Sequence, residues 1–151
     1  MDLIVLLFIS FAAAFLGTVV MTVGQEVEMR ISRRPISYTP AIAVFKIFRL
    51  NFEQLSQWMK IAASYTVHFA YGTAWGFPLA FFYLFDFIEF TPVLVSYFLI
   101  IWIQGLVVVP LLGIAGPPWT WGFKAILTEM VHKAVLAVST VLIFQYFISL
   151  V

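Results

Sequence analysis

Two histidines, a glutamate and a lysine stand where an apolar chain has little reason to carry them. Glu129, His132 and Lys133 fall inside one hydrophobic run and His68 inside another. Ionisable groups at membrane depth are costly, and they mark functional positions by default. Glu129 and His132 are spaced i, i+3, the Glu-x-x-His spacing of carboxylate-bridged metal sites in helical bundles. A Zn or Fe site built on that pair would draw a further ligand from His68 or Glu28. Di-metal bundles use two such motifs, whereas this chain has one. His68 and His132 also supply the two histidines on different helices that haem b requires, with Gly72 leaving space for a porphyrin. A structural reading competes with both. Glu129 and Lys133 are spaced i, i+4 with the acid on the N-terminal side, the favoured order for an ion pair, and that pair alone would neutralise two charges.

The elements that position these groups follow from composition. The 151 residues are 64% hydrophobic and only 10% charged, against roughly 25% charged in soluble domains. A soluble domain of this size could not hide that much apolar surface. Disorder is excluded on the same ground. The chain reads as an all-α polytopic membrane bundle in one domain, 1–151, with four spans at about 3–23, 61–85, 93–112 and 123–148. Each is long enough to cross roughly 30 Å of hydrocarbon at about 1.5 Å per residue. The first run has Asp2 and no Lys or Arg before it, so it is read as a retained span and not as a signal peptide.

Loop charges give the expected direction. Arg30, Arg33, Arg34, Lys46, Arg49 and Lys60 lie in the first connection and Lys124 ends the third, while the opposite side holds Asp2, Asp86 and Glu89. The positive-inside bias therefore puts 25–60 in the cytoplasm of a plasma (inner) membrane, with both termini outside. Within that connection Phe45, Phe48, Phe52, Leu55 and Met59 recur at helical spacing, opposite Lys46, Arg49, Glu53 and Gln57. This predicts an amphipathic helix over about 40–59, with Thr39 as N-cap and Pro40 at N1, lying in the interface or docking a soluble partner. Gly113 to Gly122, with Pro117, Pro118, Trp119 and Trp121, predicts a tight turn anchored at the interface.

Helical rise places the polar groups at similar depth. His68 lies roughly 10 Å in from the cytoplasmic side, Glu129 and His132 roughly 9 and 14 Å, and Gln104 roughly 12 Å. Gln25, Lys133, Thr22, Glu26 and Glu28 approach the same level, so every helix contributes to one buried polar layer. His68, Gly72 and Gly76 share a face, and glycines at that spacing let another helix come close. Gly17 and Gly105 are expected to do the same in the first and third spans. Gly17 to Met21 resembles Gly105 to Val109, and His68 to Gly72 is positioned as His132 to Leu136 is, which predicts two equivalent hairpins about an axis along the membrane normal.

Met21 after a small-residue span, His68-x-x-Tyr71-Gly72-x-x-x-Gly76, and Gly105 to Pro110-Leu-Leu-Gly113 together resemble a group of small four-span bacterial and archaeal membrane proteins of unknown function. The resemblance covers most of the chain. It implies the four-span fold and supplies no activity. The charged first connection and the Glu129-x-x-His132-Lys133 cluster stand apart from it.

Several functions are excluded. There is no cysteine, so disulfides, thiolate zinc, iron–sulfur clusters and c-type haem are out. No nucleotide loop, Gly-x-Ser-x-Gly elbow or HExxH motif is present. A net charge of +1 argues against nucleic acid. With no complete catalytic set and 19% aromatic residues, the sequence reads as a non-enzymatic protein. It would be an accessory or scaffold subunit of a larger membrane assembly, partnered by the bilayer and by other chains or a second copy. The rival reading is ion, proton or small-solute handling through His68, Gln104, Glu129 and His132, or binding of a divalent metal or haem b.

Overall fold

The computed structural model describes all residues, 1–151, and is helical throughout. Its elements are α1 (Leu3–Ser32), α2 (Thr39–Ile47), α3 (Gln57–Ala74), α4 (Gly76–Leu84), α5 (Phe90–Leu111) and α6 (Phe123–Ile148), with single 3-10 turns at Phe52–Gln54 and Pro118–Thr120. Three of them, α1, α5 and α6, are long and apolar enough to cross a membrane. Asp2 caps α1, its carboxylate accepting from the Ile4 amide at 2.7 Å. Beyond its apolar run α1 continues for two further turns to Ser32.

The segment expected as one span over 61–85 is two helices. Pro78 has no N–H to offer the Ala74 carbonyl, so the helical ladder fails there. Trp75 closes α3 with a tightened bond to the Gly72 carbonyl at 3.3 Å. The Trp75 carbonyl is taken up by the Tyr97 hydroxyl of α5, which donates at 3.1 Å. Broken helices persist at such depth only where neighbours satisfy the freed groups.

The amphipathic helix expected over 40–59 is also corrected. α2 stops at Ile47, with Tyr38 and not Thr39 at its N-cap. Arg49 turns left-handed (φ 56°). Its amide donates to Lys46 O at 3.1 Å and the Leu50 amide to Phe45 O at 2.8 Å, the two bonds of a Schellman stop. The chain then folds back so that Phe45 and Tyr38 pack on buried Phe52, at ring separations of 5.3 and 5.8 Å. Phe48 and Met59, assigned to the same apolar face, are exposed instead. The same left-handed stop recurs at Asp86 after α4 and at Gly113 after α5.

α1 and α6 form the central pair, with α3 and α4 on one flank of α1 and α5 on the flank of α6. Small residues make the central contact. Gly17 of α1 meets Thr140 of α6 there, with Ala13, Ala14 and Ala137 also buried, while Ser10 and Thr18 of α1 face Gly76 and Gly72 on the other flank. At Gly17 an added Cβ would lie 2.9 Å from Thr140 Cβ and 3.0 Å from its Cα. This is small-residue packing of the kind that holds helices together in lipid. Two equivalent hairpins would also require α3 and α4 to pack along α5 as α1 does along α6. That contact lies mainly at the α4 end, with α3 reaching α5 through the Tyr71–Gln104 bond, so the expected repeat does not extend to the packing.

The apolar core lies at the end of the bundle remote from α2. It comprises Leu6, Ile9 and Ala13 of α1, Leu79 and Ala80 of α4, Val93, Tyr97 and Ile101 of α5, and Leu136, Ala137, Val141 and Phe144 of α6, with Met21 of α1 extending it to the cavity wall. On α5 the buried residues are spaced i, i+4, i+8 and end at Ile101. From Trp102 onward α5 buries nothing fully. Its second half stands away from α3, and that separation opens the site.

Candidate functional site: a cleft beneath the short helix

A cavity of about 800 Å³ occupies the α2 end of the bundle. α1 and α6 form its back, α3 and α5 its two sides, and α2 lies across its mouth through Thr39, Pro40, Ala43, Val44 and Ile47. α2 is held at both ends. On the α3 side the Ser64 hydroxyl donates to Ser37 O at 3.1 Å and Gln57 Nε2 to Tyr38 Oη at 2.9 Å. On the α5 side Lys46 Nζ donates to Leu112 O at 3.0 Å and to Gly113 O at 2.8 Å. These carbonyls end a helix, where they lack intrahelical partners and favour a cation.

His68, Glu129, His132, Gln25, Gln104, Lys133 and Glu28 all line this one cavity. The cause lies in α3. Its 68/72 face, continued by Gly76 at the start of α4, turns toward α1 in antiparallel register, so that Gly72 meets Thr18, Gly76 meets Ser10 and His68 meets Thr22. His68 Nε2 is 3.0 Å from Thr22 Oγ1. The Thr22 hydroxyl already gives its one hydrogen to Thr18 O at 2.7 Å. Thr22 can therefore only accept, which makes Nε2 the protonated nitrogen of His68 and leaves Nδ1 as a lone-pair acceptor.

On the next turn the Tyr71 hydroxyl donates to Gln104 Oε1 of α5. This is the side-chain bond that bridges α3 to α5 over the cleft. A glutamine that accepts through its oxygen presents its NH2 group to the surroundings. Two wall residues, Trp102 and His132, each carry a nitrogen, Nε1 and Nδ1, that is buried away from the open space without any hydrogen-bond partner.

Most of the charged lining groups have partners. Glu28 is paired with Arg34 at 2.8 Å, Glu129 lies 3.9 Å from Lys133, and Glu26 accepts from the Tyr65 hydroxyl. The sequence-expected ion pair thus exists, but at long range and with the Glu129 side chain 46% exposed.

The metal assignment to Glu129, His132, His68 and Glu28 is corrected. No three His, Asp or Glu side chains gather closely enough to hold an ion. Three of the four candidates are turned to other partners, His68 to Thr22, Glu28 to Arg34 and Glu129 toward Lys133, and His132 Nδ1 is buried without one. Haem b does not fit either. His68 Nε2, the nitrogen that would bind iron, is engaged, and the space expected beside Gly72 is filled by the Thr18 side chain, whose Cγ2 would lie 2.6 Å from an added Cβ. Gly105 is corrected as a packing position, because a Cβ there meets nothing within 4 Å. It is part of the cavity wall.

Sequence reasoning missed Trp102 as a wall residue, Tyr71 as the strap across the cleft, and α2 as its cover. Tyr71 had a signal, since it lies three residues from His68 and opposite Gln104 in depth. Fold and site define a helical protein with three helices of membrane-spanning length and a mixed polar and apolar cleft between them. No protein family, curated protein or solved structure matches the chain.

Proposed function

We propose that this chain is an integral membrane protein of four spans, the fourth being α3 and α4 run together through the break at Trp75, and that it binds an amphipathic small molecule in the cleft under α2. This places it on the solute-handling side of the readings open from sequence, and among the small four-span proteins it resembles. Positive-inside charge puts the cleft in the cytoplasmic half of the plasma membrane. The observation that carries the reading is a cavity of about 800 Å³ in a chain of 151 residues. Ligand sites typically occupy roughly 300–1,000 Å³, are mostly apolar and hold a few convergent polar groups. An accessory subunit held by its outer faces would have no use for such a space. Binding without chemistry is favoured because the one hydroxyl beside an imidazole, that of Thr22, gives its hydrogen to Thr18 O and not to His68.

Native mass spectrometry from mild detergent tests this. Wild-type protein is expected to retain a bound small molecule. Gly105→Phe, which projects a ring into the cavity at a position with nothing within 4 Å, is expected to lose it while staying folded. A ligand-free wild type, or equal retention by the variant, refutes the reading.

A further inference from the structure

α2 lies across the mouth of the cleft, and its attachments on the two sides differ in kind. Along α3 it is packed. Its buried residue, Ala41, is not among those that line the cavity, and α2 rests on α3 and on the Phe52 turn. Phe45 and Tyr38 close on buried Phe52 at this edge, and the Ser64 and Gln57 bonds fasten it. Toward α5 the attachment is one side chain. Lys46 Nζ donates to Leu112 O and Gly113 O, and the lysine is exposed. Water can take over exposed hydrogen bonds at small cost, but it cannot replace apolar contacts. The α5 edge is therefore the one that yields.

Nothing else on α2 opposes such a movement. The side chains it turns to the cavity are Thr39, Pro40, Ala43, Val44 and Ile47. Thr39 alone is polar, and it is bonded to Ser37 beside it, so lifting α2 strands no polar atom inside. The flanking connections, 33–38 and 48–51, contain no helix or strand, and short segments of this kind absorb the dihedral changes of a hinge.

The wall behind α2 favours this route over one through the bilayer. Glu26, Glu28, Arg34, Lys124, Glu129 and Lys133 all line the cavity. Opening such a wall to water costs little, whereas opening it to acyl chains is costly. The side between α3 and α5 is moreover bridged by Tyr71 and Gln104. We infer that α2 is a lid, hinged along α3 and latched to the end of α5 by Lys46, and that it swings from α5 to let a ligand pass between the cleft and the adjoining water. The inference rests on the binding function just proposed and adds its route of entry.

The chain has no cysteine, so a single introduced thiol reports access to the cleft. Gly105→Cys and Val109→Cys, two wall positions, are made separately in the full-length protein in lipid nanodiscs. Modification rates are measured with a charged methanethiosulfonate, which arrives through water, and with an apolar maleimide, which also partitions into lipid. Lys46→Met is expected to quicken the charged reagent about fivefold at both positions, the effect of losing exposed hydrogen bonds of this kind. Lys46→Arg, which keeps a cationic donor, is expected to retain the slow rate, and Gln57→Leu at the hinge edge to leave it unchanged. Ser10→Cys, at the buried crossing with Gly76, is expected to stay unmodified whatever stands at position 46. An unaltered rate at both wall positions in Lys46→Met overturns the lid, as does equal quickening at Ser10→Cys or by Gln57→Leu. Faster modification by the apolar reagent, indifferent to Lys46, places entry between α3 and α5 and overturns it as well. A latched lid on a protein that retains no small molecule in its native mass spectrum would leave the movement of α2 standing and remove the binding function.

Discussion

Replacing Gly76 by alanine asks how closely α1 and α4 are locked. A Cβ at Gly76 would lie 2.8 Å from both the carbonyl carbon and oxygen of Ser10 and 2.9 Å from Phe11 Cα, where ordinary contact starts at 3.4 Å. The obstacles are backbone atoms, so no side-chain rotation relieves them, and the helices must part by about 0.6 Å. Overpacking of this kind costs about 1–3 kcal/mol. Gly76 opens α4, so little helix propensity returns. Gly105→Ala is the matched control. It lies within α5, where its Cβ meets nothing, and it gains up to about 1 kcal/mol of propensity. At about 2–4 °C per kcal/mol for a chain of this size, thermal unfolding in detergent is expected to show Gly76→Ala several degrees below wild type and Gly105→Ala a few degrees above. A Gly76→Ala protein as stable as wild type would refute the close crossing. A destabilised Gly105→Ala would refute the open wall.

Lys46→Met removes both bonds from α2 to the end of α5. At this exposed site the global cost is expected to stay below about 1 kcal/mol, whereas hydrogen exchange of the α2 amides is expected to quicken; unchanged protection would mean that the lysine does not hold the cover. Arg49 bears a side chain at φ 56°, so Arg49→Gly is expected to stabilise by about 0.5–1 kcal/mol in chemical unfolding, and a loss of stability would contradict the left-handed stop. Nitrogen NMR of the imidazoles is expected to find His68 protonated on Nε2, with that preference lost in Thr22→Val; an Nδ1–H tautomer in the wild type would sink the assignment. A double-mutant cycle of Tyr71→Phe and Gln104→Leu is expected to return a coupling of about 0.6–1.7 kcal/mol, the range for interhelical bonds in membranes, and zero coupling would remove the strap from the structure.

How much of this was legible in the sequence depends on the range of the interaction. Apolar length alone marks the α1, α5 and α6 helices, and the start of α6 at Phe123 follows from Gly122 (φ 81°) just before it. Rise per residue places His68, Gln104, Glu129 and His132 at one level because depth is a local property of each helix. The break at Trp75 was encoded in Gly76 and Pro78, but a long hydrophobic run masks a kink when only composition is summed. The end of α2 was hidden for a different reason. Arg49 carries no glycine-like signal, and its left-handed turn is imposed by the packing of Phe45 and Tyr38 on Phe52. Gly105 shows the converse limit. A glycine that admits a neighbouring helix and one that borders empty space are the same letter, and only the position of the facing helix distinguishes them.

That facing helix is missing for a reason that can be traced along the bundle. The hydroxyls of Ser10, Thr18, Thr22, Thr73 and Ser139 each donate to the carbonyl four residues earlier in their own helix. They therefore act as small, satisfied surfaces against which α1 packs closely, although Thr140 Oγ1 of α6, at the Gly17 crossing, is buried without a partner. α5 has no such surface. Its buried residues are the large Val93, Tyr97 and Ile101, which fill the far end and wedge it there, with the Tyr97 hydroxyl fixed on the Trp75 carbonyl. Past that wedge α5 turns Trp102, Gln104 and Gly105 toward the cavity, with Leu106, Val108 and Val109 beyond them. Their partners across the gap are His68 and Tyr71, which are already turned to Thr22 and to Gln104 itself. The helices consequently stay apart, and α2, tied by Lys46 to the end of α5, closes from above a space that the four long segments cannot close from the side.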